Sequence, residues 1–317
     1  MNAINAYTQI FPDVDSQDIL KKIERCGRVC YKSEGKITEG SAEKFVANII
    51  KRGHEAVLEH GSFILEVSVS FYKKTCYWIQ TFEESYDFVS FLRFTNDTRP
   101  IISGNVRAWR SFFKMLWKHH KAIPTVLKNF IQTNPILFPE FVNLDFLGSG
   151  RSAKILTVSD LETENEKLTH WDVTVKFVVD RGVSHEIVRH RTASYCQEST
   201  RYCNYAKEDF GSEITFIIPH HLAYNSAGWN TWKEAMKASE KAYFDLLSIG
   251  QTAQEARAVL PNSLKTEVVM TVNLSGWRNF FKLRTADAAH PQMREVARPL
   301  LDDLKEMIPA VFDDITY

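Results

Sequence analysis

The 39 lysines and arginines balance 39 aspartates and glutamates in 317 residues. That neutrality argues against general nucleic-acid binding, which needs a basic excess over a broad face, so any anion site must be local. Hydrophobic residues make up 44% and charged residues 25%, the balance of a globular chain with a core rather than a disordered one.

The N-terminus has no basic segment followed by an apolar run, so no signal peptide is expected. No apolar stretch reaches membrane-span length. Residues 16–32 place Ile19, Leu20, Ile23 and Cys26 on one helical face, with Ser16 as the candidate cap. Residues 41–52 repeat the design, with Ser41 capping, Phe45, Ile49 and Ile50 inward, and Gly53 closing the helix. His54, Glu55, Glu59 and His60 follow. Histidines six apart diverge by roughly 120° on a helix, which argues against a shared metal. Residues 62–71 alternate and predict a half-buried strand. Helices are expected over 72–94 and 102–121, then short helices and loops among the prolines and glycines of 122–150.

A charged turn is expected at 162–167 and a second alternating strand at 171–179. Gly182 breaks it, and Ser184 is placed to cap a helix running into Arg189. A short apolar segment at 214–218 is followed by helices at 231–249 and 251–260, a strand at 264–272, a helix at 274–284 and an amphipathic helix at 291–308. Helices around a small, mostly antiparallel sheet give an α+β class.

The chain also echoes itself. Leu58-Glu59-His60 stands before the first alternating strand as Leu168-Thr169-His170 stands before the second. The ten residues from Asn105 to Lys114 share Asn, Trp, Arg, Phe, Phe and Lys with the ten from Asn273 to Lys282. Two readings stand: aromatic helices that merely look alike, or a duplicated unit of which one copy is needed for chemistry.

The chemistry concentrates in Arg189-His190-Arg191, Thr192, Ser194, Ser199, Thr200 and Arg201, ending at Tyr202. Guanidinium groups grip phosphate in planar, bidentate fashion, and hydroxyls fill the remaining acceptor sites. On a regular helix Arg189 and Arg191 would point about 200° apart. Either the helix ends there or the two serve different ligands. Ser199 lacks the surroundings of a nucleophile elbow, and no glycine-rich phosphate loop is present. Cys196 and Cys203 read better as packed residues than as thiolate nucleophiles. The five cysteines are odd in number and irregularly spaced, which fits no disulfide framework or zinc site and points to a reducing cytoplasm. Arg257 and Arg284 stand in apolar stretches, either snorkelling to the surface or walling a pocket.

Arg-His-Arg, seven residues, then Ser199 and Arg201-Tyr202 resembles the signature of the flavin-dependent thymidylate synthases. The segments Gly53–His60, Ser184–Arg191, Ala256–Pro261 and Thr271–Arg284 resemble further elements of that family in the same order. The resemblance implies one domain over 1–317 with an inserted, mainly helical segment at about 72–168. It implies a homotetramer that methylates dUMP reductively to dTMP with methylenetetrahydrofolate and NADPH, FAD carrying the hydride. It implies FAD binding by His54, Glu59, Arg189, His190, Arg191, Asn273 and Asn279. It places dUMP against Glu186, Arg189, Gln197, Glu198, Ser199, Thr200, Arg201, Arg257 and Arg284. Arg284 is the implied catalytic residue, stabilising negative charge as N3 of uracil ionises, with no covalent enzyme nucleophile and no metal. Ser275 stands where the family often has arginine, and Arg107 occupies the matching place in the earlier echo. A non-catalytic nucleotide-binding protein that kept the fold is the alternative; neither nucleic acid nor membrane is an expected partner.

Overall fold

The computed structural model describes residues 1–12, 18–82, 91–201, 203–205 and 213–317. Strands β1 (Asn2–Ile4) and β2 (Tyr7–Ile10) lead into α1 (Ile19–Tyr31) and α2 (Ser41–Lys51). Next come β3 (Ser62–Glu66), α3 (Val69–Phe82), β4 (Arg93–Thr95), β5 (Ile101–Asn105) and α4 (Val106–His120). A run of short elements follows: β6 (Ile123–Pro124), α5 (Lys128–Gln132), β7 (Phe146–Leu147), β8 (Lys154–Leu156) and α6 (Glu164–His170). Then come β9 (Asp172–Asp180), α7 (Arg181–Ile187), β10 (Ser194–Gln197), β11 (Thr215–Ile217), α8 (Ala227–Ser248) and α9 (Ala253–Ala256). Strand β12 (Lys265–Asn273) and helices α10 (Leu274–Arg284), α11 (Pro291–Met307) and α12 (Pro309–Phe312) complete the α+β fold.

The echo in the sequence is an echo in the architecture. One antiparallel sheet has the order β4-β5-β3-β8, and the other has the order β10-β12-β9-β2. Their registers match: Ser62 pairs with Asn105, and Asp172 pairs with Asn273. Arg93 pairs with Ser103, and Ser194 pairs with Thr271. In each sheet the second strand ends on an asparagine that caps the next helix. Asn105 Oδ1 accepts from the Ala108 amide at 2.8 Å, and Asn273 Oδ1 accepts from the Gly276 amide at 2.9 Å. Each cap is followed by a fully buried Trp and Phe-Phe pair, Trp109 with Phe112 and Phe113, and Trp277 with Phe280 and Phe281. These six aromatics anchor two separate cores, each burial worth roughly 2–3 kcal/mol.

Several expectations shift. Ser16 lies outside the described residues, and the α1 cap is Asp18, which accepts from the Lys21 amide. Ser41 is the first helical residue of α2, and its hydroxyl donates to Glu24 at 2.7 Å; Gly40, at φ +70°, is the cap. Strand β3 stops at Glu66 with Phe63, Ile64 and Leu65 all buried, because both faces are covered and alternation is lost. Helix α3 then starts at Val69, inside the expected strand, and the expected helix to 94 gives way to β4; 83–90 lie outside the described residues. Residues 101–105 are strand rather than the start of the 102–121 helix, since the asparagine cap sets the helix start at Val106. The expected charged turn at 162–167 is largely the first turns of α6, capped by the Thr163 hydroxyl. Ser184 lies inside α7 and donates back to the Arg181 carbonyl, whereas Asp180 caps by accepting from Val183 at 2.7 Å.

Candidate functional site

Helix α7 ends at Ile187, so Arg189, His190 and Arg191 lie beyond it. Of the two readings of the arginine pair, the helix end is the one realised. The Tyr195 hydroxyl ties the turn by donating to the carbonyls of Ile187 and His190, at 3.0 and 2.9 Å. Arg189 and Arg191 are both exposed on this turn. His190 faces inward instead, with its ring 4.8 Å from that of Phe280.

Helix α10 brings Arg284 to the same turn. Arg284 donates from Nε to His190 Nε2 at 2.9 Å, from Nη1 to Glu186 Oε2 at 2.8 Å, and from Nη2 to the Glu186 carbonyl at 3.1 Å. The guanidinium is thereby fixed on three sides. Burial, and then the charge of Arg284, push the His190 pKa from 6.5 down to about 4. The imidazole is therefore neutral near pH 7.

Strand β10 carries the next expected residues. Gln197 donates its amide to Ser184 Oγ at 3.1 Å and to Thr266 Oγ1 at 3.3 Å. Glu198 is buried, accepting from Lys265 Nζ at 2.8 Å and from the Tyr205 hydroxyl at 3.3 Å. That pairing gives Glu198 a structural partner set rather than an open face. The Ser199 amide donates to the Cys30 carbonyl at 3.2 Å, and the Ser199 hydroxyl accepts from the Arg201 amide at 3.3 Å. Arg257 donates to the Thr200 hydroxyl at 3.3 Å. The two line an open cavity of about 320 Å³ with Arg181 and His185, a cationic pocket suited to an anion.

A second cavity, of about 330 Å³, is lined by Glu59 and Asn273 together with Thr192, Ser194 and residues of β4 and β5. Glu59 accepts from Arg107 at 2.6 Å, and Asn273 also donates to the Thr169 carbonyl at 3.1 Å. Ser275 is exposed on α10. His54 is exposed, its Nδ1 3.5 Å from the Tyr31 hydroxyl, and Asn279 is exposed on the outer face of α10. Neither His54 nor Asn279 lines either cavity. Among the described residues, no group of three His, Cys, Asp or Glu side chains is arranged to hold a metal ion, and no helix is long and apolar enough to cross a membrane.

Sequence reasoning missed the support under β10. Glu267 accepts from Lys32, from Lys265 at 2.5 Å and, through its ion pair, faces Lys176 at 3.3 Å. Burial alone would raise its pKa, but Lys265 and Lys32 bring it down to about 2. A carboxylate at the start of the largely apolar run 266–272 was the available signal, since a buried charge demands partners. It also missed Arg181 and His185, which give no pattern until Pro261 and Arg257 are folded beside them.

The comparisons agree on one family. The model described as thymidylate synthase complementing protein matches residues 14–73 and 163–310, and skips the segment between. Proteins named flavin-dependent thymidylate synthase are similar to this chain. One from Pyrococcus abyssi is 36% identical over 124 residues, 39% of this chain and 50% of that protein. One from Thermococcus kodakarensis is 37% identical over 134 residues, 41% of this chain and 54% of that protein. One from Geobacter sulfurreducens is 33% identical over 136 residues, 43% of this chain and 57% of that protein. The alignments span about half the length of these relatives. With more than half of its residues matched by the family model, the chain belongs to the thymidylate synthase complementing protein family.

Proposed function

We propose that this chain is a flavin-dependent thymidylate synthase, a methyltransferase that converts dUMP to dTMP. Methylenetetrahydrofolate supplies the carbon and NADPH the reducing equivalents; bound FAD supplies hydride transfer. The observation that carries this reading is the Glu186–His190–Arg284 cluster, joined across 98 residues beside the exposed Arg189 and Arg191. Arg284 is held in place before any ligand arrives, so it stabilises negative charge on the uracil ring without reorganising. The neutral His190 adds no competing positive charge.

The residues present fit FAD. Arg189 and Arg191 are exposed guanidiniums on one turn, suited to a diphosphate, and the cavity at Glu59 and Asn273 offers both hydrogen-bonding and apolar walls. In this reading Glu59, Arg189, His190, Arg191 and Asn273 serve FAD, and His54 and Asn279, which line neither cavity, are assigned to it by the resemblance alone. Glu186, Arg189, Gln197, Glu198, Ser199, Thr200 and Arg201 serve dUMP, with Arg257 and Arg284. Thr200 and Arg257 hold the substrate phosphate. The enzyme works in the cytoplasm as a homotetramer.

The test is direct. Purified protein with added FAD is expected to turn yellow, to bleach on NADPH, and to release tritium from 5-tritiated dUMP when methylenetetrahydrofolate is present. A protein that takes up no FAD and releases no tritium overturns the reading.

A further inference from the structure

The two matching sheets meet each other reciprocally. His60, two residues before β3, hydrogen-bonds Thr271 of the other sheet, Nδ1 to Oγ1 at 2.8 Å. His170, two residues before β9, hydrogen-bonds Ser103 of the first sheet, Nδ1 to Oγ at 2.6 Å. Thr271 and Ser103 each stand two residues before a capping asparagine. When residue i meets j′ and i′ meets j, the contact is that of a two-fold pair, here inside one chain.

The cavity beside Glu59 sits at that junction, and it is lined by both members of matched pairs. Ser62 and Asp172 begin the first strands, Arg93 and Ser194 occupy the same edge-strand position, and Asn105 and Asn273 end the inner strands. Phe91 and Thr192, two residues earlier on each edge, complete the wall. Helices α4 and α10 both start at this cavity, so two positive dipole ends face it.

The first unit lacks the reaction groups, and of the matched wall residues only the asparagine is the same in both units, yet it still presents polar groups to this cavity. Leu116, fully buried, stands in α4 where Arg284 stands in α10. Helix α3, which follows β3 as α7 follows β9, contains no arginine, histidine or glutamate. Yet Arg93 is held by Asp172 through two bonds, at 2.5 and 2.7 Å, and Asn105 keeps its carboxamide at the wall. A unit kept only for packing has no use for polar groups facing a cavity.

We propose that the flavin nucleotide is seated in this cavity on the internal two-fold, with Phe91, Arg93 and Asn105 of the first unit as binding residues opposite Thr192 and Asn273. A flavin pairs a flat apolar face, matched by Phe91, with an edge of amide donors and acceptors, matched by the two asparagines. The inference rests on the flavin enzyme reading above and adds that the segment skipped by the family model builds part of its cofactor site. The test is FAD titration of the full chain by flavin fluorescence, comparing wild type with Phe91→Ala, Asn105→Ser and Tyr77→Ala. Serine keeps the helix cap while removing the carboxamide, so Asn105→Ser decides the matter if Phe91→Ala fails to fold. Tyr77 is 64% exposed on α3 and serves as the control. Phe91→Ala and Asn105→Ser are expected to weaken FAD binding at least tenfold, with melting of the FAD-free protein unchanged and Tyr77→Ala binding like wild type. Wild-type binding with both variants within twofold of it overturns this inference alone. A wild-type chain that takes up no FAD overturns it together with the reading it rests on.

Discussion

Arg284 donates from Nε to Nε2 of His190 at 2.9 Å across 94 residues of sequence, which makes His190 the acceptor and leaves its remaining proton on Nδ1. The guanidinium also grips Glu186 twice, once at the carboxylate and once at the main-chain carbonyl. A cation held at three points is pre-oriented, and a lysine cannot reproduce that fork.

Both Arg284→Ala and Arg284→Lys are therefore expected to lower turnover by about 10²–10³, the scale of losing one preorganised charge-stabilising donor. Tritium release from 5-tritiated dUMP measures it, with FAD occupancy followed by absorbance. Turnover of Arg284→Lys equal to wild type would show that charge alone suffices and that the three-point hold is incidental.

Arg257 is exposed and touches the Thr200 hydroxyl at 3.3 Å, in a cavity it shares with Arg181 and His185. Arg284 does not line that cavity, so on the proposed reading Arg257 holds the substrate phosphate equally in the ground state and the transition state. Arg257→Ala is expected to raise KM for dUMP about 10–100-fold, the loss of one charge-assisted contact, with kcat little changed. Steady-state kinetics decide it, and a fall in kcat at unchanged KM would contradict a phosphate role.

How much of this was legible beforehand depends on the range of the interaction involved. Helix α10 was read at its observed bounds, Leu274–Arg284, because an asparagine cap and an apolar face are local signals. The arginine signature was legible too, but not its shape: Asp180 displaces Ser184 as the cap, and α7 stops short of Arg189. Residues 102–105 read as helix because their strand character comes from pairing with β3, nearly forty residues earlier. The echo suggested duplication, but only strand register and the two histidine contacts reveal a two-fold. His54 and Asn279 show the reverse case, as both match family elements by sequence while lying exposed outside the two cavities.

Glu267 is the counter-charge for Lys32, Lys265 and Lys176, and its side chain is 7% exposed. Glu267→Gln keeps the shape and removes the charge, taking away the counter-charge of Lys176 and leaving Lys265 and Lys32 with Glu198. A loss of about 3–5 kcal/mol in stability is expected, the scale of breaking a buried ion pair from one side. Its depressed pKa means this contribution is present above about pH 4.5 and fades as the pH falls toward 2. Urea unfolding at pH 7 checks it, and a midpoint unchanged from wild type would refute the role.

The two histidines that join the sheets set a pH dependence. Burial, and then Lys22, take His60 to about pKa 3; burial, and then Arg93, take His170 to about 4. His170 is partnered at both nitrogens, by Ser103 and by Thr95 at 2.9 Å. Both pKa values are depressed below the ordinary 6.5. The stability from keeping them neutral is thus full above pH 6.5 and is lost as the pH falls toward 4, because the unfolded chain takes the protons first. At pH 5 each histidine accounts for about 2 kcal/mol of that loss. Glu295, raised to about 7 by burial and Asp180, acts in the opposite sense, so wild type alone gives a blurred profile. The decisive readout is a difference. Between pH 7.5 and 5, His170→Asn is expected to lose about 2 kcal/mol less unfolding free energy than wild type, measured by urea titration. Identical losses in the two proteins would mean that His170 is protonated at pH 5 in the folded chain, and the neutral contact to Ser103 could not stand.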